Sequence, residues 1–266
     1  MRTVKEIYEA LFAQAPTYMK YDWDHVGLLC GRWDMPVTKV MVALDPMPDV
    51  LDEAKEVGAQ LIVTHHPLIF QPIAAVTDDT LTGRCLLYLI ENGMAAINLH
   101  TNLDCAPDGV NDILAKKIGL KNISVINPVG KDEQGREYGL LRMGTVEPTA
   151  LADFAAKTAK TLGCVGMRYA DGGKAVCRVA VGGGSCGSEL DAAIKAGCDT
   201  FVTADLKYNH FEEAKYHGIN LIDAGHFATE NPVCERLSGI LLDAFPELEI
   251  FRSKNHRDET QFLING

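Results

Sequence analysis

The chain has 266 residues, 47% of them hydrophobic, which suits one large or two small globular domains with a substantial core. A formal charge of −11 and a pI near 5.2 exclude a general polyanion-binding surface and argue against nucleic acid as a partner, while leaving room for a local cationic centre such as a metal site. Eight scattered cysteines without any C-x-x-C spacing favour reduced thiols in the cytoplasm over a disulfide framework or a zinc knuckle.

The N-terminal MRTVKEIYEALFAQAP places apolar residues at helical spacing and lacks the continuous apolar core of a signal peptide. Nowhere do about 18 uncharged apolar residues run together, so no transmembrane helix is expected. Tyr21-Asp-Trp-Asp-His-Val-Gly-Leu-Leu29 is a dense polar and aromatic stretch, read as a loop packing Trp23 and Leu28 on the core. Strand signals follow at 39–45, 60–64 and 95–99, with helices at 49–57 and 80–92 between them. The polar segment 128–137 reads as a linker or exposed hairpin. A second series then runs through a strand in YGLLRMGTV, a helix at 149–162, strands near 165–170 and 177–182, a helix at 188–196, a strand at 199–203, a helix at 209–217 and a strand at 219–223. This alternation predicts an α/β fold with parallel or mixed sheets flanked by helices.

The two series resemble each other. VMVALDPMPDVLDEAKEVGAQLIVTHH lies over RVAVGGGSCGSELDAAIKAGCDTFVTAD, matching Gly58 to Gly197 and Thr64 to Thr203. The next units end in His100-x-x-x-Asp104 and His226-x-x-x-Glu230. Matched spacing in consecutive units favours an internal duplication over chance similarity of two β-α-β crossovers. The expected organisation is a first α/β half over 1–125, a second over 126–225, and a segment 226–266 that returns to the first half and supplies metal ligands.

In VTHHPLIF, an apolar strand ends at two adjacent imidazoles because Pro67 offers no N–H to a sheet ladder. Imidazole and carboxylate also gather at His100/Asp104, Asp205/His210 and His226/Glu230, each at or just after an expected strand end. Such a mixed set suggests one or two divalent cations. Each cluster alone is equally consistent with a histidine bonded to a backbone carbonyl or a carboxylate capping a helix. No H-E-x-x-H is present, and the stretch from His226 to Glu230, just before Pro232, is not expected to be a regular helix. On a chain turning at Pro67 the vicinal imidazoles diverge, favouring one ligand for each of two ions, with Asp104 or Glu230 bridging. His100, Asp205 and His210 are candidates for orienting ligands or handling protons. Gly182–Gly187 matches G-x-G-x-x-G between a strand and a helix, where free N–H groups could hold a nucleotide's anionic part, and a tight turn is favoured there over nicotinamide binding.

Taken in order, YDWDHVGLLCG, VTHHPLIF, NLHTNLDCAPDGVND, VTADLKYNH and DAGHFATENP resemble the GTP cyclohydrolase 1 type 2 homologue family over about residues 20–235. The resemblance implies two intertwined α/β domains, ring-like homohexamers and a pair of divalent ions. Carried over by position, it places the ligands on His65, His66, Asp104, His226 and Glu230. His25 stands where the family has asparagine in W-D-N-x-G, and Ala204 where it has glycine, both bearing on the substrate pocket rather than the ligands. The short segment joining the halves marks the version without an inserted domain. The expected function is a metal-dependent hydrolase acting on a nucleotide or small cyclic substrate, with a non-enzymatic metal-binding, delivery or scaffold protein as the alternative. Zn, Fe, Mn, Ni and Mg all suit the ligand set.

Overall fold

In the computed structural model, which describes residues 1–263, strands and helices alternate as the sequence predicts and build two mixed α/β units. The first contains Met1–Ala106 and Val233–Arg257, and the second contains Pro107–Pro232 and, of the residues after Arg257, the described ones, 258–263.

The first unit is built on a five-stranded sheet in the order Glu249–Arg252, Lys39–Ala43, Leu61–Thr64, Ala95–Asn98, Gly27–Cys30. All pairs are parallel except the last. The Leu61–Thr64 and Ala95–Asn98 strands are buried at every position, which explains why they read as continuous apolar runs rather than alternating ones. Met41, Ile62 and Ala96 pack with Val50 and Leu51 of helix Pro48–Val57 and with Leu86 and Leu89 of helix Leu81–Glu91. Helix Val4–Gln14 starts at a capping box in which Thr3 and Glu6 exchange hydrogen bonds, and it packs against helix Val233–Ala244.

The second unit has a six-stranded sheet in the order Arg168–Ala170, Asn220–Asp223, Thr200–Thr203, Val176–Val181, Arg142–Thr149, Lys121–Val125. Its strands Val176–Val181, Thr200–Thr203 and Asn220–Asp223 are parallel, and the other pairings are antiparallel. Period-two alternation sends Val179, Val202 and Ile222 into a cluster with Leu114 and Phe154, and Ala180, Phe201 and Leu221 into another with Leu190 and Ala214. In both units a β-α-β-α-β series forms three parallel strands, and the third pairs antiparallel with a strand that precedes the series in the chain. That shared topology accompanies the repeat seen in the sequence. The segment 128–137 is largely a hairpin, with Gly130–Lys131 paired to Glu137–Tyr138.

Chain membership departs from a division at 125/126 and 225/226 for a hydrogen-bonding reason. Lys121–Val125 belongs to the second unit because it pairs with Arg142–Thr149. The stretch His226–Glu230 also lies in the second unit, and the chain re-enters the first at Val233 so that Glu249–Arg252 can extend the sheet beside Lys39–Ala43. Residues 264–266 of the expected C-terminal segment lie outside the described residues.

Candidate metal centre

The vicinal histidines follow the Leu61–Thr64 strand directly. Thr64 Oγ1 donates to the His66 carbonyl at 2.7 Å and His66 N donates to the Leu44 carbonyl at 2.8 Å, so the turn is tied to the neighbouring strand. Each ring is oriented through Nδ1. His65 Nδ1 faces the Leu99 carbonyl at 2.8 Å, and His66 Nδ1 faces the Asp45 carboxylate at 2.6 Å. A carbonyl only accepts, so His65 Nδ1 carries the proton and its Nε2 keeps the lone pair in the neutral ring. His65 Nε2 lies 3.5 Å from Asp104 Oδ1, and both residues are buried. His100 joins them: it caps the short helix Thr101–Cys105, and its Nδ1 faces Asp24 Oδ1 at 3.0 Å. His65, His66 and His100 each offer a ligand atom, all within 4.8 Å of one another. The two imidazoles of the vicinal pair have ring centroids 5.0 Å apart and planes tilted by 44°.

The carboxylates that orient these rings are held firmly ionised. Burial works against ionisation of Asp24, but hydrogen bonds from His100 and Thr101 outweigh it and keep its pKa well below the usual range. Asp45 behaves alike, with burial opposed by His256 and His66. His256 also accepts from Leu44 N at 3.2 Å, which ties the C-terminal part of the unit to the strand end that carries Asp45.

In the second unit His226 and Glu230 lie on a five-residue helix, His226–Glu230, where the sequence did not promise one. Gly225 supplies the N-cap at φ 83°, Thr229 Oγ1 lies within hydrogen-bond distance of the Gly225 and His226 carbonyls, and Pro232 falls beyond the end. The i, i+4 spacing brings His226 Nε2 to 2.9 Å from Glu230 Oε2. His226 Nδ1 faces Asp205 Oδ2 at 2.8 Å. Burial alone would lower the His226 pKa, but Asp205 and Glu230 together push it up to about 11. The Gly182–Gly187 loop underlies this pair. Gly183 N donates to Asn111 Oδ1 at 2.6 Å and Gly184 N donates to Thr229 Oγ1 at 3.0 Å. Gly184 sits at φ 61°, and a Cβ there would overlap the Glu230 carboxylate and come within 3.1 Å of His226 Nε2. The G-x-G-x-x-G motif is therefore a tight turn whose bare backbone leaves space for a carboxylate of the protein itself.

Of the residues singled out from the sequence, the structure gathers His65, His66, His100 and Asp104 in the first unit, and His226, Glu230 and Asp205 in the second. His210 works elsewhere: its Nδ1 accepts from Lys207 N at 3.2 Å at the start of helix Tyr208–His217, and its ring packs on Gly187. Two groups were missed. Asp45 closes the ALD run at a strand end, the kind of position that carried the histidines. Asp24 lay in a stretch read as core packing, but Trp23 is 55% exposed and Asp24 is the buried member.

The donor set fits a divalent cation on a feature of the chain itself. His65, His66, His100 and His226 are each fixed at Nδ1 by a carbonyl or a carboxylate, the arrangement that aims Nε2 at a metal. No helix among the described residues is long and apolar enough to cross a membrane.

A model of the Duf34/NIF3 (NGG1p interacting factor 3) family matches residues 2–259. A Streptomyces coelicolor protein named GTP cyclohydrolase 1 type 2 homolog is 39% identical over 240 residues, covering 88% of this chain and 84% of that protein. A Clostridium perfringens protein of the same name is 33% identical, covering 94% and 95%. Among solved structures, Staphylococcus aureus hypothetical protein SA1388 superimposes with a TM-score of 0.90 at 32% identity, covering 98% of this chain and 99% of its own. A Bacillus cereus protein related to NIF3 gives a TM-score of 0.91 at 25% identity, covering 99% of both chains.

Proposed function

Because the chain belongs to the Duf34/NIF3 (NGG1p interacting factor 3) family, we propose that it is a dinuclear divalent-metal protein with His65, His66, Asp104, His226 and Glu230 as ligands, acting as a hydrolase on a nucleotide or small cyclic substrate. The observation that carries the reading is the carboxylate on Nδ1 of His66, His100 and His226, because a histidine serving only the core has no need of an ionised partner aiming its second nitrogen. The name shared by the relatives points the substrate toward nucleotides. Divalent ions would supply positive charge that polarises an electrophile and eases deprotonation of water. The chain's own residues do the rest. Asp45, Asp24 and Asp205 hold the rings in register, and Asp205 and Glu230 hold a proton on His226 that an incoming cation must displace. The proposal extends to a cytoplasmic homohexamer, supported by the family resemblance and the thiol chemistry of the eight cysteines.

The test is metal analysis of the purified wild type beside Asp104→Ala, with hydrolysis of a nucleotide panel measured on both. The expected result is about two equivalents of metal in the wild type, fewer in the variant, and turnover that chelation abolishes and metal restores. A wild type without metal, or an Asp104→Ala protein with its full complement, refutes the dinuclear site. Full metal occupancy with readily exchanging ions and no turnover favours metal delivery over hydrolysis.

A further inference from the structure

Large aromatic side chains exposed on a protein surface lose the burial energy that normally keeps them inside. Trp23 and Phe70 are 55% and 51% exposed, and both stand beside His100. The ring centroids of Trp23 and Phe70 are 5.9 Å apart with planes at 67°, those of Trp23 and His100 are 6.1 Å apart at 74°, and those of Phe70 and His100 are 6.1 Å apart at 77°. The three planes are thus steeply inclined to one another, like the faces of a box corner. Tyr21 stacks along Trp23 at 6.0 Å and 11°, extending that wall. A corner of this kind matches a flat ring, which can lie on one wall while its edges meet the other two.

The corner is also preorganised. The buried carboxylate of Asp24, next to Trp23 in the chain, accepts from Thr101 N at 3.0 Å and pairs with His100 Nδ1. Asp24 N donates to the Tyr21 carbonyl at 3.0 Å, closing the turn that carries Trp23. One side chain therefore fixes the indole wall and the imidazole relative to each other. His100 in turn shares its locus with His65 and His66, so a ring held in the corner would lie beside the candidate ligands.

We infer that Trp23, Phe70 and His100 form a stacking subsite for a planar heteroaromatic ring, of which a purine base is the class it fits. The inference deepens the metal-hydrolase reading, on which it rests for the purpose of the subsite but not for its existence. Stacking of a base on an aromatic side chain is worth enough to be read directly in affinity.

The chain has two tryptophans, so Trp33→Phe leaves Trp23 as the sole indole reporter. Titration of that protein with guanosine 5′-monophosphate is expected to quench its fluorescence saturably, whereas ribose 5-phosphate, which lacks the base, should leave it unchanged. Phe70→Ala should weaken binding about tenfold. Saturation-transfer NMR on the wild type and Trp23→Ala repeats the comparison should Trp33→Phe fold poorly, and the base protons should lose their signal in the variant. Metal content measured on every sample separates this inference from the metal reading, since stacking on chelated protein supports the subsite even where no metal is found. Equal quenching by ribose 5-phosphate, unchanged affinity in Phe70→Ala, or a base signal that survives Trp23→Ala overturns it. So does a smaller oligomer in Trp23→Ala with no nucleotide effect, because the aromatic walls would then belong to self-association.

Discussion

Gly184→Ala separates the cost of a backbone conformation from the cost of losing a ligand. Gly184 lies at φ 61°, where an L-residue with a Cβ is disfavoured by about 1–2 kcal/mol. Gly197, in the same unit, lies at φ 73° with nothing within 4 Å of a built Cβ. Gly197→Ala therefore suffers the backbone strain and little else. The Cβ of Gly184→Ala additionally collides with the end of the Glu230 side chain, which can swing aside cheaply but then leaves its place 2.9 Å from His226 Nε2. On chelated protein the two variants should melt within a few degrees of each other, since 1 kcal/mol shifts a unit of this size by about 2–4 °C. On metal-loaded protein they should diverge, with Gly197→Ala keeping its metal and Gly184→Ala losing occupancy. Calorimetry with and without chelator, paired with metal analysis, reads both effects. Equal metal content in the two variants would refute the assignment of the glycine loop as the seat of Glu230.

Three further outcomes follow from the geometry. Asp45→Asn removes the ionised partner of His66 Nδ1 and should weaken metal binding about 10- to 100-fold in a competition titration, with little change in the far-UV spectrum. In the metal-free protein the His226 pKa is raised to about 11, so its contribution to stability is complete below the ordinary histidine value near 6.5 and drains away as pH rises through 11. Metal affinity should run the opposite way, rising with pH as the competing proton is lost, and proton release on metal addition measured in two buffers checks both signs. Arg142, 1% exposed, donates from Nε to Asp112 Oδ1 at 2.6 Å, so Asp112→Asn should lower stability in denaturant unfolding by removing a carboxylate that faces a buried guanidinium, by up to about 3 kcal/mol.

The sequence displayed whatever depends on local period and punctuation. Leu61–Thr64 and Thr200–Thr203 are apolar runs of strand length preceded by Gly58 and Gly197 in left-handed turns, so both were legible together with their repeat relationship. His65 and His66 were conspicuous because Pro67 ends the strand beneath them. What stayed hidden depends on partners distant in the chain. Asp24 meets His100 across 76 positions, and Asp45 meets His66 across 21, contacts that only the folded sheet creates. The helix His226–Glu230 escaped because a single capped turn has no periodicity to detect, and its stability comes from Gly225 and Thr229 instead. The Trp23 stretch was misjudged because aromatic content alone does not tell a buried ring from one held at the surface beside an imidazole.

The return of the chain to the first unit at Val233 sets an order of events during synthesis. The second unit's sheet is complete once Asp223 has emerged, since all its strands come from one uninterrupted stretch. The first unit's sheet begins earlier and finishes later: the Lys39–Ala43 strand keeps an open edge until Glu249–Arg252 arrives, after the whole second-unit sheet. Closing that edge is the most non-local pairing in either sheet, and such pairings are slow to form. A nascent or truncated chain stopping before Val233 would present a parallel edge rich in Val40, Met41 and Val42 to its neighbours, the surface on which strands of different molecules add to one another. The Glu249–Arg252 strand thus serves as a latch on a strand made far earlier in the chain, and losing it should turn a folding chain into an aggregating one.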